Sequence, residues 1–267
     1  MALARDDVDA AIRAYSASVT TWPENHAAWY YLAYAQFRKG DPAAAAAAAA
    51  KATRLAPAVA MYRLMRGVYL HEAAVARARA AQAGRLDLRT VNQDAALAEL
   101  DLAVHLDARL WRAHYYRGRI LRDRGDAGPA AEALTSAVRN APPMSGPYVA
   151  LAELYRRWDH LDPAIAVARL GASHLAGSER ADVLYVLGLA HEGKREDVAA
   201  REAYTKALDA RPGLAVALFQ RGQVLARLSQ PAAAKADLEA FVAHPDAPPW
   251  EKSIAQRLLF DLAQRKR

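Results

Sequence analysis

Apolar residues recur along this chain at helical spacing and not in alternation. Around Gly118 the stretch LWRAHYYRGRILRDRGD reads as a helix halted at Gly125-Asp126. A second helix, PAAEALTSAVRNAPP, follows it, with Pro129 at its start and Pro142 just past its end. No alternating run or Asn-Gly turn marks a strand. The pattern predicts an all-α chain whose unit is helix, short turn, helix, short turn.

The punctuation is periodic. Pro23 and Pro57 lie 34 residues apart, as do Gly188 and Gly222, while Gly67 and Gly118 are 51 apart and Gly118 and Gly188 are 70 apart. An arginine precedes the glycine in Arg66-Gly67, Arg117-Gly118 and Arg221-Gly222, with Leu187-Gly188 as a variant. A period of this size marks stacked supersecondary units. Residues 111–144 carry the pattern most fully, as Tyr115, Gly118, Leu121, Gly125-Asp126, Ala130, Leu134, Ala137 and Pro142. Residues 26–59 carry it as Trp29, Leu32, Ala33, Gly40-Asp41, Ala45, Ala49, Ala52 and Pro57, and residues 181–214 as Leu187, Gly188, Ala200, Tyr204, Ala207 and Pro212. This hairpin resembles the tetratricopeptide repeat. The resemblance implies a right-handed α-solenoid of about six TPR helical hairpins with a C-terminal capping helix.

On that frame, residues 1–248 divide into a half-repeat at 1–25 and repeats at 26–59, 60–110, 111–144, 145–180, 181–214 and 215–248. Repeats 145–180 and 215–248 follow the pattern more loosely. The 60–110 repeat is enlarged by 17 residues at about 77–93, RARAAQAGRLDLRTVNQ. The opening half-repeat leads us to expect a fragment of a longer protein, or an end that docks on a neighbour. Residues 249–267 are expected to cap the array, turning Trp250, Ile254, Leu258 and Leu262 inward. The eight alanines at 43–50 fall in phase with second helices elsewhere, which predicts an ordered helix in place of a linker.

Composition narrows the function. The 267 residues are 54% hydrophobic and 24% charged, in the range of a globular chain. No apolar run is long enough for a transmembrane helix, and no secretory pattern opens the chain. The cytoplasm is the default expectation; periplasmic or lipid-anchored placement would follow if a segment precedes residue 1. Zero cysteines exclude disulfides and thiolate metal sites. His71-Glu72 and His191-Glu192 lack a second histidine four residues on, and no phosphate-binding glycine loop is present. We expect no catalytic residues, no metal, no cofactor and no small-molecule substrate. The net charge of +7 fits a GC-rich, Ala- and Arg-rich bacterial coding sequence as readily as a basic partner surface.

The resemblance implies that one stripe of each first helix faces a concave groove, as in tetratricopeptide arrays. That stripe carries an aromatic row, Tyr30, Tyr115, Tyr185 and Phe219, with Tyr34, Phe37 and Arg38 beside the first of these. It also carries an arginine cluster, Arg112, Arg119, Arg122, Arg156 and Arg157. Tyrosine and arginine suit binding hot spots, and guanidinium forks suit carboxylates. These twelve residues are the candidate partner-binding set. The expected function is a non-enzymatic scaffold or adaptor for another protein, offering an acidic or aromatic-acidic segment or a small folded domain such as a GTPase. The insertion is a second candidate contact. Asn25, Asn92 and Asn140 lie off the stripe, which argues against the chaperone-tail clamp of the family. Alternatives are an RNA-binding helical repeat, disfavoured because basic residues do not recur at one position per unit, or a non-catalytic assembly arm of a larger enzyme or regulator.

Overall fold

A computed structural model describes residues 7–81 and 86–264 and divides the chain into two compact units, 1–141 and 142–267. The described residues form fourteen α-helices and no strand. The first unit holds α1 (Val8–Thr21), α2 (His26–Arg38), α3 (Pro42–Leu55), α4 (Ala60–Ala81), α5 (Asp94–Leu106), α6 (Trp111–Arg124) and α7 (Ala127–Asn140). The second holds α8 (Ser145–Arg157), α9 (Leu161–His174), α10 (Gly177–Gly193), α11 (Asp197–Ala210), α12 (Ala215–Arg227), α13 (Pro231–Ala243) and α14 (Pro249–Gln264). Within each unit every helix packs on the next in sequence. The alanine run lies in α3, where Ala45, Ala46, Ala48 and Ala49 are buried.

Local chemistry sets the helix boundaries. Asp7, Asn25 and Asp41 each accept the backbone N–H three residues on, at 2.8, 3.0 and 2.9 Å, and Pro42 follows Asp41 at the first helical position. Five hairpin turns share one closure. The amides of Asp41, Asp126, His160, Glu196 and Gln230 donate to the carbonyls of Gln36, Leu121, Tyr155, His191 and Leu225, five residues back. That long bond requires a left-handed residue just before it. Gly40 and Gly125 fill the place in two turns, at φ 89° and 96°; Asp159, Arg195 and Ser229 fill it in the others, at φ 60°, 58° and 57°.

The repeated glycines mark where paired helices cross. A Cβ at Gly118, Gly188 or Gly222 would collide with Leu134, Tyr204 or Leu238, each 16 residues later. A Cβ at Gly67 would collide with Leu100, 33 residues later, so the 17 extra residues lie between the crossing partners. Where alanine replaces glycine, at Ala33 and Ala152, the residue 16 later is also a buried alanine, Ala49 or Ala168. The arginine before the glycine reaches a carboxylate. Arg66 meets Glu99 at 2.6 Å and Arg221 meets Asp237 at 2.7 Å, both across their own hairpin, whereas Arg117 turns back to Asp101 on α5 at 2.5 Å.

The insertion is ordered on both sides of residues 82–85, which lie outside the described residues. Before them α4 continues to Ala81; after them Leu88–Thr90 form a 3-10 turn. Buried Gln93 ties that turn down, its Oε1 accepting from His71 Nδ1–H (2.6 Å) and its Nε2 donating to the Leu88 carbonyl (3.3 Å).

The last helix departs from expectation. α14 buries Ala255 and Leu262, with Leu258 and Leu259 packed against the same core, and leaves Trp250 and Ile254 exposed. The expected stripe is therefore rotated. Small Ala255 permits close packing near Phe219 and Phe241, which bulky Trp250 would not.

Candidate functional site

In the first unit the candidate residues belong to a larger aromatic field. On α2, Tyr30 stacks on Tyr62 of α4 with centroids 4.9 Å apart and meets Tyr31 edge-on at 5.2 Å. Tyr31 stacks in turn on Tyr15 of α1 at 5.5 Å. The Tyr62 hydroxyl is hydrogen-bonded to His26 Nδ1 at 2.8 Å, which fixes that ring. About two helical turns along α2, Phe37 packs on Tyr69 at 4.8 Å. Tyr69 is wholly buried, and its hydroxyl has no hydrogen-bond partner among the described residues. Burial, with Tyr30, Tyr34 and Tyr116 nearby, holds that phenol far above its ordinary range.

Two arginines of α6 lie over rings. The Arg112 guanidinium sits 4.8 Å from the Trp111 centroid, and Arg119 sits 5.6 Å from Tyr115 and 6.0 Å from Tyr116. Tyr115 also contacts Trp111 at 6.3 Å and Tyr116 edge-on at 5.5 Å. The charge of Arg112 reaches Tyr30 and works against the burial that raises its phenol. Among the described residues neither Arg112 nor Arg119 has a carboxylate within ion-pair distance. Arg122 does: its guanidinium is 2.7 Å from Asp123. Arg38 is exposed in the last turn of α2, and Tyr34 is half-buried.

The second unit uses its candidates differently. Arg156 pairs with Glu153 at 2.8 Å, one turn back on α8, and Arg157 is exposed. Tyr185 is half-buried beside Tyr204 at 5.9 Å; burial pushes its hydroxyl up to about 12, against the lowering effect of a hydrogen bond with Gln220. Phe219 is not a surface residue. It is only 5% exposed, packed on Phe241 at 4.8 Å in the core that α14 closes. The aromatic row thus has three half-buried members and one core member. Glu192 of α10 and Arg227 of α12 pair with each other at 2.6 Å, with Asp197 on Arg227 and the Tyr204 hydroxyl donating to Glu192.

Tyr62, Tyr69, Trp111 and Tyr116 belong to the aromatic field without having been singled out from the sequence. Each sits one position beside a stripe residue, and Tyr62 and Tyr69 repeat the seven-residue spacing of Tyr30 and Phe37. That matched spacing was the available signal. Among the described residues no group of three His, Asp or Glu could hold a metal, and no helix is long and apolar enough to cross a membrane.

Helix pairs crossing at small residues, repeated through both units, define a helical-hairpin repeat protein. Residues 2–60 and 151–215 match the family model of the tetratricopeptide repeat, and these two stretches carry that repeat. No curated protein matches it. Among solved structures it is similar to a tetratricopeptide repeat protein from Parabacteroides merdae, at 13% identity and a TM-score of 0.62, covering 98% of this chain and 94% of that one. Pseudomonas aeruginosa pilF matches at 15% identity and a TM-score of 0.64, covering 87% of this chain and 96% of that one. YrrB, described as a TPR protein with an unusual peptide-binding site, matches at 16% identity and a TM-score of 0.53, covering 79% of this chain and 99% of that one.

Proposed function

We propose that this chain is a non-catalytic scaffold that docks an acidic, aromatic-bearing segment of another protein on the first unit. The observation carrying the proposal is the pair Arg112 and Arg119, spread over tyrosine and tryptophan rings with no carboxylate of their own. A guanidinium held flat on a ring keeps N–H groups free at its edge for a partner carboxylate, while the neighbouring tyrosines supply apolar area and hydroxyls. Arg122 contributes less, because Asp123 already neutralises it. Tetratricopeptide proteins bind other proteins, and the peptide-binding site of YrrB is consistent with this reading.

The test is anisotropy of a labelled twelve-residue peptide alternating Glu with Phe, titrated with the full chain. Changing Arg112 and Arg119 together to Glu should weaken binding at least about tenfold, with helicity unchanged. Equal affinity in that variant, or no binding by the wild type, would sink the proposal.

A further inference from the structure

The second unit has a cleft on the far side of α10 from Tyr185, about 290 Å³ in volume, walled by α9 and α11. Residues 180, 184, 187 and 191 line it from α10. At 100° per residue these fall on one stripe, roughly opposite Tyr185, Leu189 and Glu192. The cleft is therefore separate from the stripe on which the candidate partner residues lie.

Its floor is made by the buried side chains of Leu184 and Leu187, with buried His191 beside them hydrogen-bonded to Glu196 at 2.6 Å. Its rim is cationic. Arg169 from α9, Arg180 from α10 and Lys206 from α11 come to one opening, and among the described residues none has a carboxylate within ion-pair distance. The single acid in the lining, Glu202, lies 3.7 Å from the guanidinium of Arg201, outside the cleft lining. Three like charges gathered over a half-apolar concavity repel one another until an anion joins them. Several arginines of this unit are matched to acids, as Arg211 is to Asp182 and Arg221 to Asp237. Exposed Arg157 is unmatched among the described residues as well, so what marks this opening is that three unmatched cations line one cleft.

We propose that this cleft binds a small phosphate monoester, its phosphoryl group held by Arg169, Arg180 and Lys206 and its organic part resting on Leu184 and Leu187. Two guanidinium forks and one ammonium suit the oxygens of a tetrahedral dianion better than a single planar carboxylate. The volume, at the low end for ligand pockets, fits a single ring or short chain beyond the phosphate.

Calorimetry of the full chain with phenyl phosphate at about 150 mM salt tests this, the salt screening diffuse attraction to a basic protein. One saturable site is expected. Inorganic phosphate should bind at least about tenfold more weakly, and phenol should not bind. The exposed pair Arg169→Ala with Lys206→Ala should weaken phenyl phosphate at least about tenfold, whereas Arg139→Ala, an exposed arginine of the other unit, should leave it unchanged. Circular dichroism checks that each variant keeps its helices, and Arg180→Gln alone gives an independent, smaller loss. Absence of a saturable site, equal weakening by Arg139→Ala, or inorganic phosphate binding as tightly as the ester would overturn the assignment. The Arg112 and Arg119 variant should bind phenyl phosphate normally, so the two proposals stand or fall separately.

Discussion

Arg221 holds Asp237 through Nε and Nη2, at 2.7 and 2.8 Å, joining α12 to α13 beside the glycine at which they cross. Asp237 is buried, so that fork replaces the hydrogen bonds water would have given it. Arg221→Ala should cost about 3–5 kcal/mol in urea unfolding by stranding a buried carboxylate, and adding Asp237→Leu should recover most of it. Glu99 has two arginines, Arg63 and Arg66, and loss of either one should cost less than loss of Arg221. A smaller loss for Arg221→Ala than for Arg66→Ala would contradict this.

Gly188 is the tightest crossing, because its partner is a tyrosine. Gly188→Ala should drive a methyl into the Tyr204 ring and lower stability by about 1–3 kcal/mol. Ala33→Gly, where the facing residue is Ala49, should cost no more than about 1 kcal/mol. Thermal midpoints of the two variants decide it; an equal loss would mean that crossing distance is not what the glycine sets.

Ser229 and Arg195 occupy left-handed positions that glycine occupies at Gly40 and Gly125. A β-carbon there costs roughly 1–2 kcal/mol, offset in part by the entropy glycine adds to the unfolded chain. Ser229→Gly and Arg195→Gly should each stabilise by about 0.5–1 kcal/mol, and Gly125→Ala should destabilise. Chemical denaturation with unchanged slopes is the readout, and destabilisation by both glycine variants would refute the account.

The phenols of Tyr30, Tyr62, Tyr69, Tyr148, Tyr185 and Tyr204 are all raised above their ordinary value of 10.0, first by burial. A raised pKa in the folded state gives stability that is complete below pH 10 and is lost as pH climbs through the raised values, Tyr185 at about 12 among them. Phenolate absorbance should show these six tyrosines ionising only above pH 10 and together with loss of helical circular dichroism. Ionisation of all of them with native helicity intact would be inconsistent with the burial described.

The hairpin unit was legible in the sequence because helix crossing requires small residues, and these recur on a fixed count. The turns were only partly legible: Gly-Asp marked two, while Asp159, Arg195 and Ser229 adopt the same backbone without its signature. The candidate surface was read from one stripe per helix, and a stripe has edges. Tyr62, Tyr69 and Tyr116 lie at those edges and complete the aromatic field. Phe219 occupies the same place as Tyr185 but is covered by the core that α14 helps to close. Whether a stripe residue is a surface or a core residue depends on the helix that packs next to it, which spacing does not encode. The same cause rotated α14, whose small Ala255 turned inward ahead of Trp250.

The crossings also give each hairpin an identity. Glycine opposite leucine, glycine opposite tyrosine and alanine opposite alanine are three different fits for the same backbone. Were α10 to pair with α7, the hole shaped for Tyr204 would be left partly empty by Leu134. Were α6 to pair with α11, the larger ring would have to fit where a leucine belongs. Repeats that look interchangeable are therefore keyed to their own second halves, a safeguard against mispairing while many similar helices emerge from one chain.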